Sequence, residues 1–375
     1  MRIAKVEVFP LRLPMKGDFA ISGGKVGEKD AGAPHVYVRI TDENGEEGWG
    51  EARPSPRWSY ETLETVVSTI RDYFAPLLEE REAEDLIGAC QVMEGEIRSG
   101  QPIAKAAVDI ALHDLIGRRT KQSLHELWYS APRGEVSLSA LISTSDPGAA
   151  AEQARRAREE GYRGVDVKIG LDPGQDLAVL EAVRSETTGL FFRVDANQRY
   201  TLAQAVSLSR ELELLGVDVF EQPLPAHDLV GHAALRRKTT VPVALDESIW
   251  TPGDLIQAIR MEACDSVVIK LTKMGGLRGA RLCGEVAREA GLSLLGGGLT
   301  ESGLVFTASA CLFEYLEIHD PVDLNGPFFL AEDPLAYGPR VEEGGRVLLP
   351  DGPGHGCRID QEKLKRWRVG VSHDG

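Results

Sequence analysis

Phe191-Phe-Arg-Val-Asp-Ala-Asn197 is an apolar run that ends abruptly in a carboxylate and an amide. Two later runs end the same way, DVFEQP (218–223) at Glu221 and PVALDE (242–247) at Asp246, so the acidic groups follow one another at separations of 26 and 25 residues. A single acidic residue there would read as a helix cap. Three in succession are harder to explain by capping. A charged group ending a buried strand needs a partner or a metal, because desolvating an unpaired charge costs several kcal/mol.

Working outward, the same grammar runs from residue 136 to 319. VSLSALI (136–142), GVDVKIG (164–170), FFRVDAN, DVFEQP, PVALDE, SVVIKL (266–271), LSLLGGG (292–298) and YLEIH (315–319) are short apolar or β-branched runs. They begin roughly 24 to 28 residues apart, the period of a strand-loop-helix unit. Amphipathic stretches such as DPGAAAEQARRAREEG and TLAQAVSLSRELELLG fill the intervals. Eight parallel strands of this kind close into a barrel. The open doubly wound sheet is the competitor, but no GxGxxG follows the first strand of the repeat.

Residues 1–130 have a different organisation. MRIAKVEVFPLRL alternates as a strand, and HVYVRITDENGEEGWGE reads as a hairpin turning at Asn44-Gly45. A Gly-rich loop around residues 21–27 lies between them, either a plain surface connection or a lid over a site. Helical periodicity follows in ETLETVVSTIRDYFAPLLEE, AEDLIGACQVMEGEIR and AKAAVDIALHDLIGRRTKQSLHELW. Strands followed by helices predict a separate α+β lobe.

Composition narrows the class of protein. At 375 residues and 42% hydrophobic content, the chain can bury a large core and divide into two or three domains. A net charge of −16 argues against nucleic-acid or anionic-membrane partners. The N-terminus lacks the apolar core of a signal peptide, and no apolar run is long enough to span a membrane. Five scattered cysteines without CxxC spacing read as reduced thiols of a cytoplasmic protein.

Barrel chemistry belongs at the C-terminal strand ends, where Lys168, Asp195 with Asn197, Glu221, Asp246 with Glu247, and Lys270 fall. Neighbouring strands lie about 4.8 Å apart, so such ends can converge. Three carboxylates suit a hard divalent ion, Mg²⁺ before Mn²⁺. Lys168 precedes the acidic set and Lys270 follows it. Each lysine is either an ion-pair partner of the carboxylates or an acid-base group. A metal with a desolvated lysine amine suits removal of a proton from the carbon next to a carboxylate.

DVKIG, RVDANQRY, FEQPL, LDES, VVIKLTKMGGL, GGGLTES and DLNGP together resemble the ordered motifs of the enolase superfamily, in particular its muconate lactonizing enzyme subgroup. The likeness covers nearly the whole chain, since GWGEA and YFAPLL in the first lobe also match. It implies an α/β fold, a modified (β/α)7β TIM-type barrel (131–320) with an N-terminal α+β capping domain (1–130) and a C-terminal segment (321–375) returning to the cap. It also implies a lid near 21–27, Mg²⁺ on Asp195, Glu221 and Asp246, Lys168 and Lys270 as acid and base on opposite substrate faces, and a small-molecule carboxylate substrate. A homo-oligomer is expected.

Two positions depart from the pattern. The subgroup usually carries Lys-x-Lys on the second strand, and here the first position is Asp166, which shares a strand face with Lys168 and would raise its pKa. Asp323-Leu-Asn325 stands between the motifs of dipeptide epimerases and muconate cycloisomerases; Asp323 is either a substrate contact or a turn residue. Glu301 is expected near the site. Three activities fit: racemisation or epimerisation of an amino-acid derivative or dipeptide, cycloisomerisation or β-elimination on the same scaffold, and carboxylate binding without turnover.

Overall fold

The computed structural model describes residues 1–21, 24–132, 134–170 and 172–371. Seven parallel strands form one curled sheet in chain order: Ala140–Ile142, Gly164–Lys168, Phe191–Asp195, Val219–Glu221, Val243–Leu245, Ser266–Ile269 and Ser293–Gly296. These are the first to seventh barrel strands. The residues of the second to sixth strands are almost all buried, as strands covered on both sides require. Helices on the outside begin at Asp146, Asp172, Thr201, Asp228, Thr251 and Ser302, each of whose side chains accepts a backbone N–H of the first turn. The helix caps are therefore a different set of residues from the acidic strand ends.

Two expectations are corrected. The run 136–142 is not one strand. Val136–Ser137 pairs antiparallel with Arg346–Leu348, and only Ala140–Ile142 joins the barrel. YLEIH is not the eighth strand, because Gly303–Tyr315 is a helix that runs into it and Ile318 N–H donates to the Phe313 carbonyl. That helix is buried on nearly every side, and a short apolar run inside such a helix has no periodicity to separate it from a strand. Single parallel bridges instead span the gap between the seventh and first strands: Asp323 pairs with Gly297, and Val322 with Leu138. Closure of the barrel thus carries Asp323 into its mouth.

Ile3–Leu13, Ala33–Asp42 and Glu47–Ala52 form an antiparallel sheet. Gly45 turns the hairpin at φ +84°. The sheet lies against the helix Pro102–Thr120, buried through most of its length. The glycines of GWGEA permit that approach, since a Cβ at Gly50 would overlap the Ala107 carbonyl oxygen and one at Gly48 the Ala111 carbonyl oxygen. Glu51 then reaches across to the barrel, where its carboxylate accepts the Ser302 N–H (2.8 Å) at the start of the helix Gly303–Tyr315. His35 Nδ1 lies 2.7 Å from the same carboxylate. Near the other end of the chain, Arg12 N–H donates to the Trp367 carbonyl (3.0 Å) and Val369 N–H to the Pro10 carbonyl (2.9 Å). No helix among the described residues is long and apolar enough to cross a membrane, and all five cysteines are free and buried.

The Gly50 contact has a measurable consequence. Gly50→Ala should lower unfolding free energy by about 1–3 kcal/mol or more, since backbone of sheet and helix cannot both yield. Urea unfolding of the two proteins measures it, and equal midpoints would contradict the packing described.

Candidate active site

Parallel pairing sets the site in two levels. Lys168 pairs with Asp195 and Asp195 with Glu221, so these three residues stand side by side at the ends of the second, third and fourth strands. Glu221 pairs with Ala244, and Asp246 follows two residues further on. One level deeper, Asp166 pairs with Arg193. Beyond the strand ends the backbone turns sharply, with Asn197 at φ +40° and Gln222 at φ +35°. Such conformations are costly for residues other than glycine and gather at functional sites. Here a hydrogen bond from Gln198 N–H to the Gln222 carbonyl (2.7 Å) ties the two turns together.

The side chains form a buried ion network. Lys168 Nζ donates to Asp166 Oδ2 (3.0 Å), Asp195 Oδ2 (2.9 Å) and Asp323 Oδ2 (2.9 Å). Lys270 Nζ donates to Asp246 Oδ2 (2.6 Å), while Lys273 Nζ lies 2.8 Å from the other Asp246 oxygen. The Arg193 guanidinium donates through Nε to Glu221 and stands 3.8 Å from Asp166. Asn197 Nδ2 donates to Asp195 Oδ2 (2.9 Å) and Glu247 Oε1 (3.2 Å). Asn325 Nδ2 donates to Asp323 Oδ1 (3.0 Å). Lys168, Asp195, Asn197, Lys270, Asp323 and Asn325 line one cavity at the barrel mouth. Asp166, Glu221, Asp246 and Glu247 lie behind that wall, as does Glu301, which accepts the Thr272 hydroxyl proton at 2.8 Å.

Burial and charge act in opposite directions through this network. Burial opposes the Lys168 ammonium, but Asp166, Asp195 and Asp323 raise its pKa well above the ordinary lysine range. Lys270 is likewise raised, by Asp246 and Glu221 against the effect of burial. Both lysines are thus held as ammonium ions by these contacts, not as the neutral amine that proton abstraction requires. Burial pushes Asp166 well above the carboxylate range, with Asp323 and Glu221 adding to it against Lys168 and Arg193. Glu247 is pushed up to about 8 by burial and by the charges of Asp246 and Asp195. For Asp323 the cations win, and Lys168 and Arg193 hold it well below its usual range despite burial.

The charge count bears on a metal. Six carboxylates, those of Asp166, Asp195, Glu221, Asp246, Glu247 and Asp323, face four cations, Lys168, Arg193, Lys270 and Lys273. With every group ionised, two negative charges are left over. Glu221 Oε1, Glu247 Oε2 and Asn197 Oδ1 are buried and accept no hydrogen bond among the described residues. Anionic and amide oxygens of this kind fit a hard divalent ion. Among the described residues, however, no group of three or more His, Cys, Asp or Glu side chains is drawn together closely enough to hold one, and lysine and arginine heads occupy the spaces between the acids.

Sequence reading missed three contributors. Arg193 lies two residues before Asp195 and so shares its strand face, a period-2 signal that was available. Lys273 lies three residues after Lys270, but nothing local marks it as reaching Asp246. Trp58, from the segment after the hairpin, meets the site only through tertiary packing. The glycine run 296–298 has a steric role, since a Cβ on Gly297 would stand 2.7 Å from Lys270 Cε.

A capped barrel that gathers lysines and carboxylates around one cavity at its mouth has the layout of a barrel enzyme, whose working groups stand at the C-terminal strand ends. The family described as "Enolase C-terminal domain-like" matches residues 149–363, and "Mandelate racemase / muconate lactonizing enzyme, N-terminal domain" matches residues 5–128. The chain belongs to the enolase superfamily, in its muconate lactonizing enzyme subgroup, and its relatives there are racemases, epimerases, cycloisomerases and o-succinylbenzoate synthases. It is 29% identical to N-succinyl-L-Arg/Lys racemase of Bacillus cereus, over 98% of each chain. It is 31% identical to muconate cycloisomerase 1 of Rhodococcus opacus, over 89% of this chain and 91% of the other. A dipeptide epimerase from Cytophaga hutchinsonii, solved with Mg and the dipeptide D-Ala-L-Val, superposes with a TM-score of 0.92 at 25% identity, over 98% of each chain.

The departure at Asp166 is open to measurement. Asp166→Ala should destabilise the protein by about 3–5 kcal/mol, because Arg193 and Lys168 would stay buried with one counter-charge fewer. Asp166→Asn should cost less. Thermal unfolding of both variants gives the comparison, and an alanine variant as stable as the parent would remove Asp166 from the network.

Proposed function

We propose that this protein abstracts the proton α to a substrate carboxylate and returns it on the opposite face, racemising or epimerising an amino-acid derivative or dipeptide. The observation that carries this reading is that Lys168 and Lys270 line one cavity from the second and sixth strands, with Asp195 and Asn197 between them. One lysine would enter the step as an amine and the other as an ammonium. The C–H electron pair passes into the carboxylate to form an enediolate, and the proton goes to the amine. Delivery of a proton by the other lysine completes inversion.

Asp195, Glu221 and Asp246 would hold Mg²⁺, with Mn²⁺ the alternative, and Asn197 and Glu247 beside them. When bound, such an ion supplies positive charge to the substrate's carboxylate oxygens. Occupancy would also offset the two excess negative charges and compete with the lysines for the same carboxylates. Asp323 and Asn325 would meet the substrate's nitrogen side. Asp323 favours racemisation or epimerisation over the second reading, cycloisomerisation of a diacid, because its carboxylate would oppose an anionic group placed against it.

In the same reading, residues 1–130 cap the site, 131–320 form the barrel and 321–375 return to the cap. The loop near 21–27 acts as a lid; Phe19 and Val26 in the cavity wall support that role. Ser22 and Gly23, within this loop, lie outside the described residues.

Two experiments test the proposal. Wild type incubated with MgCl₂ and N-acylamino acids or dipeptides in deuterium oxide should exchange the α-proton, and Lys270→Ala should slow that exchange by at least about 100-fold. Undiminished exchange in the variant would remove Lys270 from the chemistry, and its absence in wild type would favour binding without turnover. Separately, Mg²⁺ at a hundredfold excess over Kd should stabilise wild type by about 2.7 kcal/mol, and Asp246→Ala should abolish the shift in melting temperature. An equal shift in both proteins would remove Asp246 as a ligand.

A further inference from the structure

The two lysines of the cavity are held by different means. Lys168 is met by three carboxylates from two strands and the closing segment. Lys270 has Asp246 on one side, and its Nζ lies over the Trp58 ring, 4.8 Å from the centroid. Trp58 does not come from the barrel. It belongs to the segment that follows Glu47–Ala52, in a turn closed by hydrogen bonds from Trp58 N–H (2.9 Å) and Ser59 N–H (2.7 Å) to the Ser55 carbonyl.

The ring has support of its own. Trp250 lies 5.3 Å from Trp58 between centroids, and its indole N–H donates to the Glu247 carbonyl at 2.7 Å. Tyr60 packs on the other residue of that pair, with its ring 5.2 Å from Trp250. Trp250 is thus anchored one residue past Asp246 and carries the ring that covers Lys270. A cation over an indole face is attracted by the ring quadrupole by about 0.5–2 kcal/mol, and the ring excludes water from the side it covers. With Asp246 opposite, the ammonium cannot swing out of the cavity without losing both contacts.

We infer that Trp58 is a positioning residue for Lys270, an aromatic shelf delivered by residues 55–60 that fixes where the Lys270 head stands, with Trp250 as its support. The inference rests on the acid-base reading of Lys270. It assigns the N-terminal segment an effect on one substrate face only, because Lys168 is positioned by carboxylates instead. A residue needed merely for folding or for closing the cavity would affect both faces alike.

The test takes the stereoisomer pair, among N-acylamino acids and dipeptides, that wild type exchanges fastest in deuterium oxide with MgCl₂. Initial α-deuterium incorporation is followed from each isomer for wild type, Lys270→Ala, Trp58→Ala and Trp58→Phe. Lys270→Ala identifies the isomer whose proton faces Lys270. Trp58→Ala should lower kcat for that same isomer roughly tenfold, with the other isomer within about twofold and KM little changed. Trp58→Phe, which keeps a ring face, should recover most of the loss. An equal loss for both isomers, a change confined to KM, or no change would overturn the inference while leaving the acid-base reading intact. No exchange by wild type, or full exchange by Lys270→Ala, would overturn that reading and this inference with it.

Discussion

Six carboxylates and four cations packed into the mouth of one barrel are the constraint on which this structure depends. Ions buried singly at such a depth would cost several kcal/mol each, and they persist only because strand register sets them face to face. Lys168 against Asp195 and Arg193 against Glu221 are pairs made across neighbouring strands, so the pairing of the sheet and the pairing of charge are one arrangement. Burial raises the carboxyl pKa values of Asp166 and Glu247, and the surplus of neighbouring carboxylates adds to it. A divalent cation would relieve the same imbalance without protonating either group. The charge excess and the orphaned oxygens are therefore the features of this chain that support a metal, whereas the positions of the lysine heads describe the network that such an ion would have to enter.

Much of this arrangement was legible because it repeats. Seven of the runs read as strands contain a barrel strand, and the acidic ends of three of them stand at one mouth because parallel strands spaced by whole strand-helix units bring their C-terminal ends to one side. What escaped has a common cause. YLEIH failed as a strand because a helix buried on all sides presents no polar face, leaving a short apolar run without a period to read. The run 136–142 failed because the chain changes sheets between Ser137 and Ala140, a choice made by its partner Arg346–Leu348 far away in sequence. Lys273 and Trp58 reach the site through packing rather than through any local pattern. Periodicity reports which way a residue faces, and distant pairing decides what it meets.

Asp323 shows how closure of the barrel and the wall of the cavity are joined. The barrel has seven strands in its sheet, and the gap left for an eighth is spanned by two single bridges at Val322 and Asp323. A full strand there would bury alternate side chains in regular register. A short segment does less pairing, and places Asp323 and Asn325 at the cavity wall while Val322 stays in the core. Change at 323 or 325 can therefore alter what the cavity accepts without disturbing the seven-strand ladder. Asp166 is placed in the opposite way, fully buried on a paired strand beneath Lys168 and beside Arg193. Substituting lysine there would add a cation next to two others in a buried space, so the acid at 166 and the arginine at 193 have to be read as one choice.

The N-terminal segment completes the asymmetry of the site. Lys168 stands among carboxylates supplied wholly by the barrel and its closing segment, whereas Lys270 lies beneath a ring supplied by residues far earlier in the chain. Arg53, five residues before that ring, is fully buried and donates to the Val26 carbonyl (2.6 Å) and to the Thr300 hydroxyl (2.8 Å). The guanidinium thereby links the strand ahead of the Trp58 turn to the loop behind the seventh barrel strand and to the edge of the 21–27 loop. The covalent path from Arg53 to Trp58 is short, so the residue that ties these segments together stands close to the ring over Lys270. The segment from Arg53 to Trp58 thus holds the cap side of the cavity and the ring over Lys270 together, while Lys168 is held by ion pairs that do not involve the cap.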